Sequence, residues 1–117
     1  MRNQPVVLFA FRGDPMCFVH VLLNALDLNE KGKKGLIILE GEAVTLVEEM
    51  RKPQAFLNGL YQNAKEKELF HGACKACAIR MESDAVIQEE GIPLVGDMSG
   101  HPAMADFIEQ GYQVITF

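Results

Sequence analysis

The positions with the most chemical potential are Cys74 and Cys77, spaced C-x-x-C within the stretch HGACKACAIR. A thiol acts as a nucleophile, redox partner or metal ligand only as the thiolate. C-x-x-C at a helix start suits thiol–disulfide exchange, and the same spacing is half of a zinc hook. The other cysteine is Cys17, and an odd number of thiols rules out a complete set of structural disulfides within the chain. A thioredoxin-type motif follows an early strand and stands beside Trp and Pro. Here Lys75-Ala76 separates the thiols, the motif comes after a third strand, and the chain has no Trp. A structural zinc site takes four ligands, commonly as two hooks. With one hook, Cys17, His20, His71 or His101 would have to complete the set, so no metal and no cofactor is assigned from spacing.

Other reactive groups fall in loops. His71 precedes Cys74 by three residues; a turn at Gly72 would bring its ring toward the sulfur, whereas alternation along a regular strand would put the two on opposite faces. The stretch Gly96-Asp97-Met98-Ser99-Gly100-His101-Pro102 offers Asp97, Ser99 and His101 as candidate binding groups. Its glycines suit either an anion-binding turn or a plain connection. Arg12 and Cys17 flank Gly13-Asp14-Pro15. Arg12 would lower a nearby thiol pKa if its loop folded over the site, and Cys17 is expected to face the Cys74 loop. Glu40 and Glu42 are close in sequence, which alone does not make a carboxylate pair.

These residues are carried by alternating strands and helices. Pro5–Phe11 is a continuous apolar run, as for a strand buried on both faces. Asp14 caps and Pro15 begins a helix running to about Asn29, with an apolar stripe of Phe18, Leu22, Leu26, Val19 and Leu23. Leu36–Leu39 is a second buried strand. Glu42–Lys52 reads as helix, broken by Pro53. Gln54–Lys67 reads as a continuation, with Phe56, Leu60 and Ala64 on one face. A third strand over Glu68–Ala73 leads into a helix from Cys74 to about Met81. Ser83 and Asp84 cap a short helix to Glu90, which Gly91 ends. Ile92–Val95 is the fourth strand, and the Gly96–Pro102 loop enters a helix ending at Gly111. Gln113–Phe117 is the last strand.

Such alternation predicts an α/β fold in one domain, residues 1–117, with a parallel sheet between helices. Right-handed crossovers put every strand-to-helix loop on one edge of the sheet, where ligands of such folds bind. Arg12–Cys17, Glu40–Glu42, His71–Cys77 and Gly96–Pro102 all belong to that rim. On it, Cys74 is expected at a helix N-terminus, with free N–H groups and the helix dipole favouring an exposed thiolate.

Bulk properties narrow the function. With 49% hydrophobic and 23% charged residues the composition is that of an ordinary globular protein. The net charge of -5 argues against nucleic acid or an anionic membrane as partner. Lys31, Lys33 and Lys34 read as a solvated turn. The apolar run Val6–Phe11 is too short for a secretion signal and no stretch matches a membrane span, so a cytoplasmic location is expected.

From HGACKACAIRM through GIPLVGDMSGHPAMADFIEQGYQVITF the chain resembles the DsrE-like family, the DsrE/DsrF/TusD group of small sulfur-relay proteins. The matching features are a cysteine after the third strand (Cys74), then small residues and an Arg (Ala76, Ala78, Arg80), and the terminal Glu109-to-Phe117 turn and strand. The resemblance implies a three-layer α/β/α sandwich with a five-stranded, mainly parallel sheet, assembled as a trimer or hexamer. It also implies a persulfide carried on Cys74 and exchanged with sulfur donor and acceptor proteins. Cys77 stands where relay proteins often have Ala, and a second thiol there suits a resolving role. Two other functions fit: a Cys74/Cys77 dithiol oxidoreductase, which would require Cys77, and a non-catalytic oligomeric binding module of the same fold.

Overall fold

The computed structural model describes residues 4–117. It holds a five-stranded sheet, all strands parallel, in the order β4-β3-β2-β1-β5. The strands are β1 (Val6–Ala10), β2 (Gly35–Leu39), β3 (Phe70–Cys74), β4 (Leu94–Val95) and β5 (Gln113–Thr116). The helices are α1 (Pro15–Glu30), α2 (Leu46–Met50), α3 (Asn58–Glu66), α4 (Lys75–Arg80), α5 (Asp84–Glu89) and α6 (Met104–Glu109). A 3-10 turn over Gly41–Thr45 precedes α2. The α/β sandwich read from the sequence is therefore the architecture found.

The layering follows from connectivity. β1, β2, β3 and β4 are laid down side by side in chain order. Right-handed crossovers that all step in one direction must put their helices on one face. That face holds the larger core, where Val6, Leu8, Ala10, Ile37 and Leu39 meet Phe18, Val21, Leu22 and Ala25 of α1 and residues of the following helices. The last connection runs back from the β4 edge to β5 at the opposite edge, so α6 lies on the other face. The smaller core there joins Val7, Phe9, Leu36 and Ile38 to Phe107, with Phe9 and Phe107 packed edge-to-face at 5.7 Å. β1 and β2 are buried along their whole length, which explains their unbroken apolar runs.

Local signals were realised where they rest on near neighbours. Asp14 caps α1, its Oδ1 accepting from the Met16 N–H at 2.9 Å, and Pro15 is the first helical residue. The face buried by α1 is Phe18, Val21, Leu22 and Ala25, while Leu23 points to solvent. Glu42–Lys52 is not one helix: it begins as a 3-10 turn and becomes α2 only at Leu46. The helix expected from Gln54 starts at Asn58, because the segment after Pro53 runs as turns. Tyr61 and Ala64 are buried within it and Leu57 at its N-cap, so Ala64 keeps its expected place while Leu57 and Tyr61 are buried instead of Phe56 and Leu60, and Phe56 is 70% exposed. Ser83 stands at the start of α5 without capping it; its hydroxyl donates to the Met81 carbonyl. Among the described residues, no helix is long and apolar enough to cross a membrane.

Candidate functional site

Because α4 leaves β3 toward one face and the chain after β4 leaves toward the other, a crevice must open between the carboxyl ends of these two strands. Cys74 sits at this switch point. It is the last residue of β3, pairs with Val95, and is the N-cap of α4. Gly72 makes that close pairing possible. A Cβ at Gly72 would lie 2.8 Å from Val95 Cγ1, closer than side chains tolerate, so only a bare backbone lets β4 approach.

The loop after β4 folds back over α4. The Gly100 carbonyl accepts from the Ala76 N–H at 2.8 Å, occupying one of the free donors at the start of that helix. Gly100 has φ +91, which strains any L side chain, and a Cβ there would stand a tight 3.1 Å from that of Ala76, so glycine is favoured on both counts. The Met98, Gly100 and His101 N–H groups are engaged within the loop itself, donating to His101, Gly96 and Met98 carbonyls at 2.8, 3.1 and 2.9 Å. The anion cradle considered for this loop therefore loses these three donors, and the glycines serve the turn.

This fold-back brings His101 onto Cys74, with Nδ1 3.1 Å from Sγ. The Gly100 carbonyl lies 3.6 Å from the same sulfur, and the Cys77 N–H donates to it at 3.4 Å. Glu40, the residue after β2, adds its carboxylate, with Oε1 3.9 Å from His101 Nδ1. One donor atom from each of Glu40, Cys74, Cys77 and His101 falls within 4.8 Å of all the others. Cys74 is wholly buried, Glu40 is nearly so, and Cys77 and His101 are half-buried.

The electrostatics are opposite to the expected electropositive rim. Burial pushes the Cys74 thiol up to about 12; the Cys77 N–H offsets this only in part, and the neighbouring Cys77 and Glu40 add to the rise. Burial likewise raises Glu40 above the usual carboxylate range, with the His101 charge and the Cys74 contact opposing. The expected exposed thiolate is thus corrected. The sulfur is at the predicted strand end and helix start, but it is covered, and burial favours its neutral thiol more than the one helix N–H that reaches it, from Cys77, favours the thiolate.

The remaining candidates do not join this cluster. Cys17 lies on the first turn of α1 with its Sγ 3.8 Å from Asp14 Oδ2, and all three cysteines are free thiols. Arg12 is exposed, and among the described residues it has no ion pair or side-chain hydrogen bond. His71 turns to the other face, edge-on to Phe107 at 5.1 Å, where a register shift between β2 and β3 sets it. Its pKa is lowered by burial and by Lys34. Asp97 is exposed and lies against the exposed Asp106, whose carboxyl is raised first by their hydrogen bond, with the like charges of Asp97 and Glu109 adding to the rise. Ser99 is exposed with φ +51, a turn residue of the covering loop. Glu42 is exposed and forms no pair with Glu40. Glu40 itself lay on the predicted rim, yet it stood out from Glu42 only as the polar residue closing a fully apolar strand. That was the available signal.

No family model matches the chain. Uncharacterized protein MJ0733 of Methanocaldococcus jannaschii is 31% identical over 97 residues, which span 83% of this chain and 77% of that protein. An uncharacterized protein of Archaeoglobus fulgidus is 35% identical over 46 residues, 39% of this chain and 75% of its own length. Among solved structures, the conserved protein of unknown function BT1422 from Bacteroides thetaiotaomicron superposes with a TM-score of 0.72 at 17% identity, covering 100% of this chain and 98% of that one. That likeness carries the shared fold and nothing further.

Proposed function

This chain belongs to the family of the uncharacterized protein MJ0733 of Methanocaldococcus jannaschii, and we propose that it carries sulfane sulfur on Cys74 in the cytoplasm. The observation that carries the reading is the 3.1 Å contact between Cys74 Sγ and His101 Nδ1. A thiol beside an imidazole is the arrangement that activates a cysteine nucleophile. The second support is the resemblance to DsrE-like relay proteins around Cys74. Cys74 is silent while its thiol stays protonated and becomes reactive when His101, held against it by the Gly96–His101 loop, takes its proton and the loop shifts only enough to admit a donor sulfur.

The transfer balances without net oxidation. The Cys74 thiolate attacks the outer sulfur of a donor persulfide, R–S–SH. The donor S–S bond breaks, R–S⁻ leaves and is protonated, and Cys74 holds S–SH. An acceptor thiolate then attacks that outer sulfur, and Cys74 departs as thiolate to regain its proton from His101. Partners are therefore thiol proteins that donate and accept sulfur, and the resemblance adds self-assembly into a trimer or hexamer.

Cys77 supplies a branch. Its thiolate attacks Cys74 Sγ of the persulfide, expels hydrosulfide and leaves a Cys74–Cys77 disulfide, which an external dithiol must reduce with two electrons. This dithiol reading is favoured by the inclusion of the Cys77 sulfur in the same cluster. Burial of Cys74 favours the third reading, a binding module that has lost the relay.

One experiment separates them. Reduced protein is incubated with a persulfide donor, alkylated and digested with trypsin. Lys67, Lys75 and Arg80 place Cys74 in the peptide Glu68–Lys75 and Cys77 in Ala76–Arg80. Gain of about 32 Da per sulfur on the Cys74 peptide is expected. Loading on Cys17 or Cys77 with Cys74 unmodified overturns the assignment, and no loading at all favours the binding module. Cys77→Ser leaves a carrier functional and abolishes turnover of a dithiol enzyme.

A further inference from the structure

We infer that Glu40, Cys74, Cys77 and His101 together form a binding site for a divalent transition metal, zinc by donor type, that clamps the switch-point crevice. The site uses the same thiols as the sulfur reading but does not depend on it. Two sulfurs, one imidazole nitrogen and one carboxylate oxygen converge from three chain segments: the end of β2, the start of α4, and the loop after β4. Tetrahedral zinc holds sulfur at about 2.3 Å and nitrogen or oxygen at about 2.0–2.2 Å, which puts its ligand atoms roughly 3.3–3.8 Å from one another. Here Cys74 Sγ and His101 Nδ1 are 3.1 Å apart, Glu40 Oε1 and His101 Nδ1 are 3.9 Å apart, and all four atoms lie within 4.8 Å. Closing the set around an ion therefore takes side-chain adjustments of about 1 Å or less.

The chemistry of the surroundings agrees. Among the described residues Glu40 has no Lys or Arg partner; its one ionic contact is His101. A nearly buried carboxylate beside two thiols is a poor design for holding an anion and a good one for holding a cation. The Cys77 N–H aimed at Cys74 Sγ is the outer-shell hydrogen bond that a metal-bound thiolate uses to spread its charge. On binding, each thiol gives its proton to solvent. Four protein donors close the coordination shell, so the ion would hold the covering loop down rather than activate water. It would also withhold Cys74 from any incoming sulfur.

The test uses the full chain, reduced and stripped with a chelator, with Co²⁺ as the optical probe and Zn²⁺ as competitor. Expected are one equivalent bound, d–d bands of tetrahedral intensity, a thiolate-to-cobalt charge-transfer band, and displacement of cobalt by zinc. Cys77→Ser should halve the charge-transfer intensity, and Glu40→Gln and His101→Ala should each weaken binding at least tenfold, with helical circular dichroism retained. Octahedral spectra, no saturable binding, or unchanged charge transfer in Cys77→Ser would overturn the site. The two readings fail separately. A protein that loads sulfur but takes up no cobalt refutes the metal site alone. One that binds cobalt and, once stripped, loads no sulfur refutes the relay alone.

Discussion

Replacing Gly100 by alanine should uncover Cys74 without touching it. At φ +91 an L-residue is strained, and the new methyl would meet the Ala76 Cβ at 3.1 Å. Left-handed backbone costs a non-glycine residue about 1–2 kcal/mol. That strain falls on the loop whose Gly100 carbonyl grips the Ala76 N–H at 2.8 Å and whose His101 covers the sulfur. Lifting the loop relieves it, so the closed arrangement loses roughly 1–2 kcal/mol relative to the open one, and the open population rises about 5- to 30-fold. When opening and closing are faster than modification, the rate of alkylation follows that population. The assay is a timed iodoacetamide pulse on the native protein, quenched and digested, with each thiol read in its own peptide. Cys74 should be alkylated about 5- to 30-fold faster in Gly100→Ala, while Cys17, on the first turn of α1, keeps its rate. An unchanged Cys74 rate would show that the loop is not what shields the sulfur. A parallel rise at all three cysteines would mean that the variant loosens the whole fold, and the local argument would fail equally.

His101→Ala should slow sulfur loading of Cys74 by about 10²- to 10⁴-fold, the usual scale for losing a proton acceptor, measured by quenched-flow mass spectrometry. Leu57→Ala should cost about 2–5 kcal/mol in urea unfolding, because Leu57 is in the core. Phe56→Ala should change stability by only about 0.5 kcal/mol or less, and equal losses at the two positions would contradict the register of α3. Glu90→Ala should cost about 1–3 kcal/mol, since the buried Tyr61 hydroxyl, which donates to Glu90 at 2.6 Å, would be left unpaired. Burial pushes the Glu90 carboxyl up, but hydrogen bonds from Lys65 and Tyr61 and the charges of Lys65 and Arg51 more than offset it, so it lies below its ordinary 4.5. A depressed carboxyl contributes stability that is full above the unfolded pKa and is lost as pH falls through the lower folded value. Urea midpoints of the wild type should accordingly drop on acidification below about pH 4.5 more than those of Glu90→Gln.

Chain-local rules carried the reading of this protein furthest where a structure depends on near neighbours. The Asp14–Pro15 start of α1, the buried runs of β1 and β2, and Cys74 at the junction of β3 and α4 each follow from a few adjacent residues. The succession of strands and helices, with the handedness of crossovers, was enough for the sandwich and for a rim that collects the reactive loops. Register after Pro53 was beyond these rules, because turns there shift the helical phase and move Leu57, not Phe56, into the core.

What tertiary structure alone decided is the company each reactive group keeps. Periodicity cannot say that the chain after β4 folds back to lay His101 on Cys74, or that Glu40 comes to the same point from β2; it does say that His71, three residues from Cys74 on one strand, ends on the opposite face. Ionisation is still less local. The C-x-x-C spacing and a helix start favour a thiolate, but burial under a distant loop and a carboxylate from another strand reverse the preference. Solvation and charge act through space, and their balance at a sulfur exists only once the segments that surround it have met.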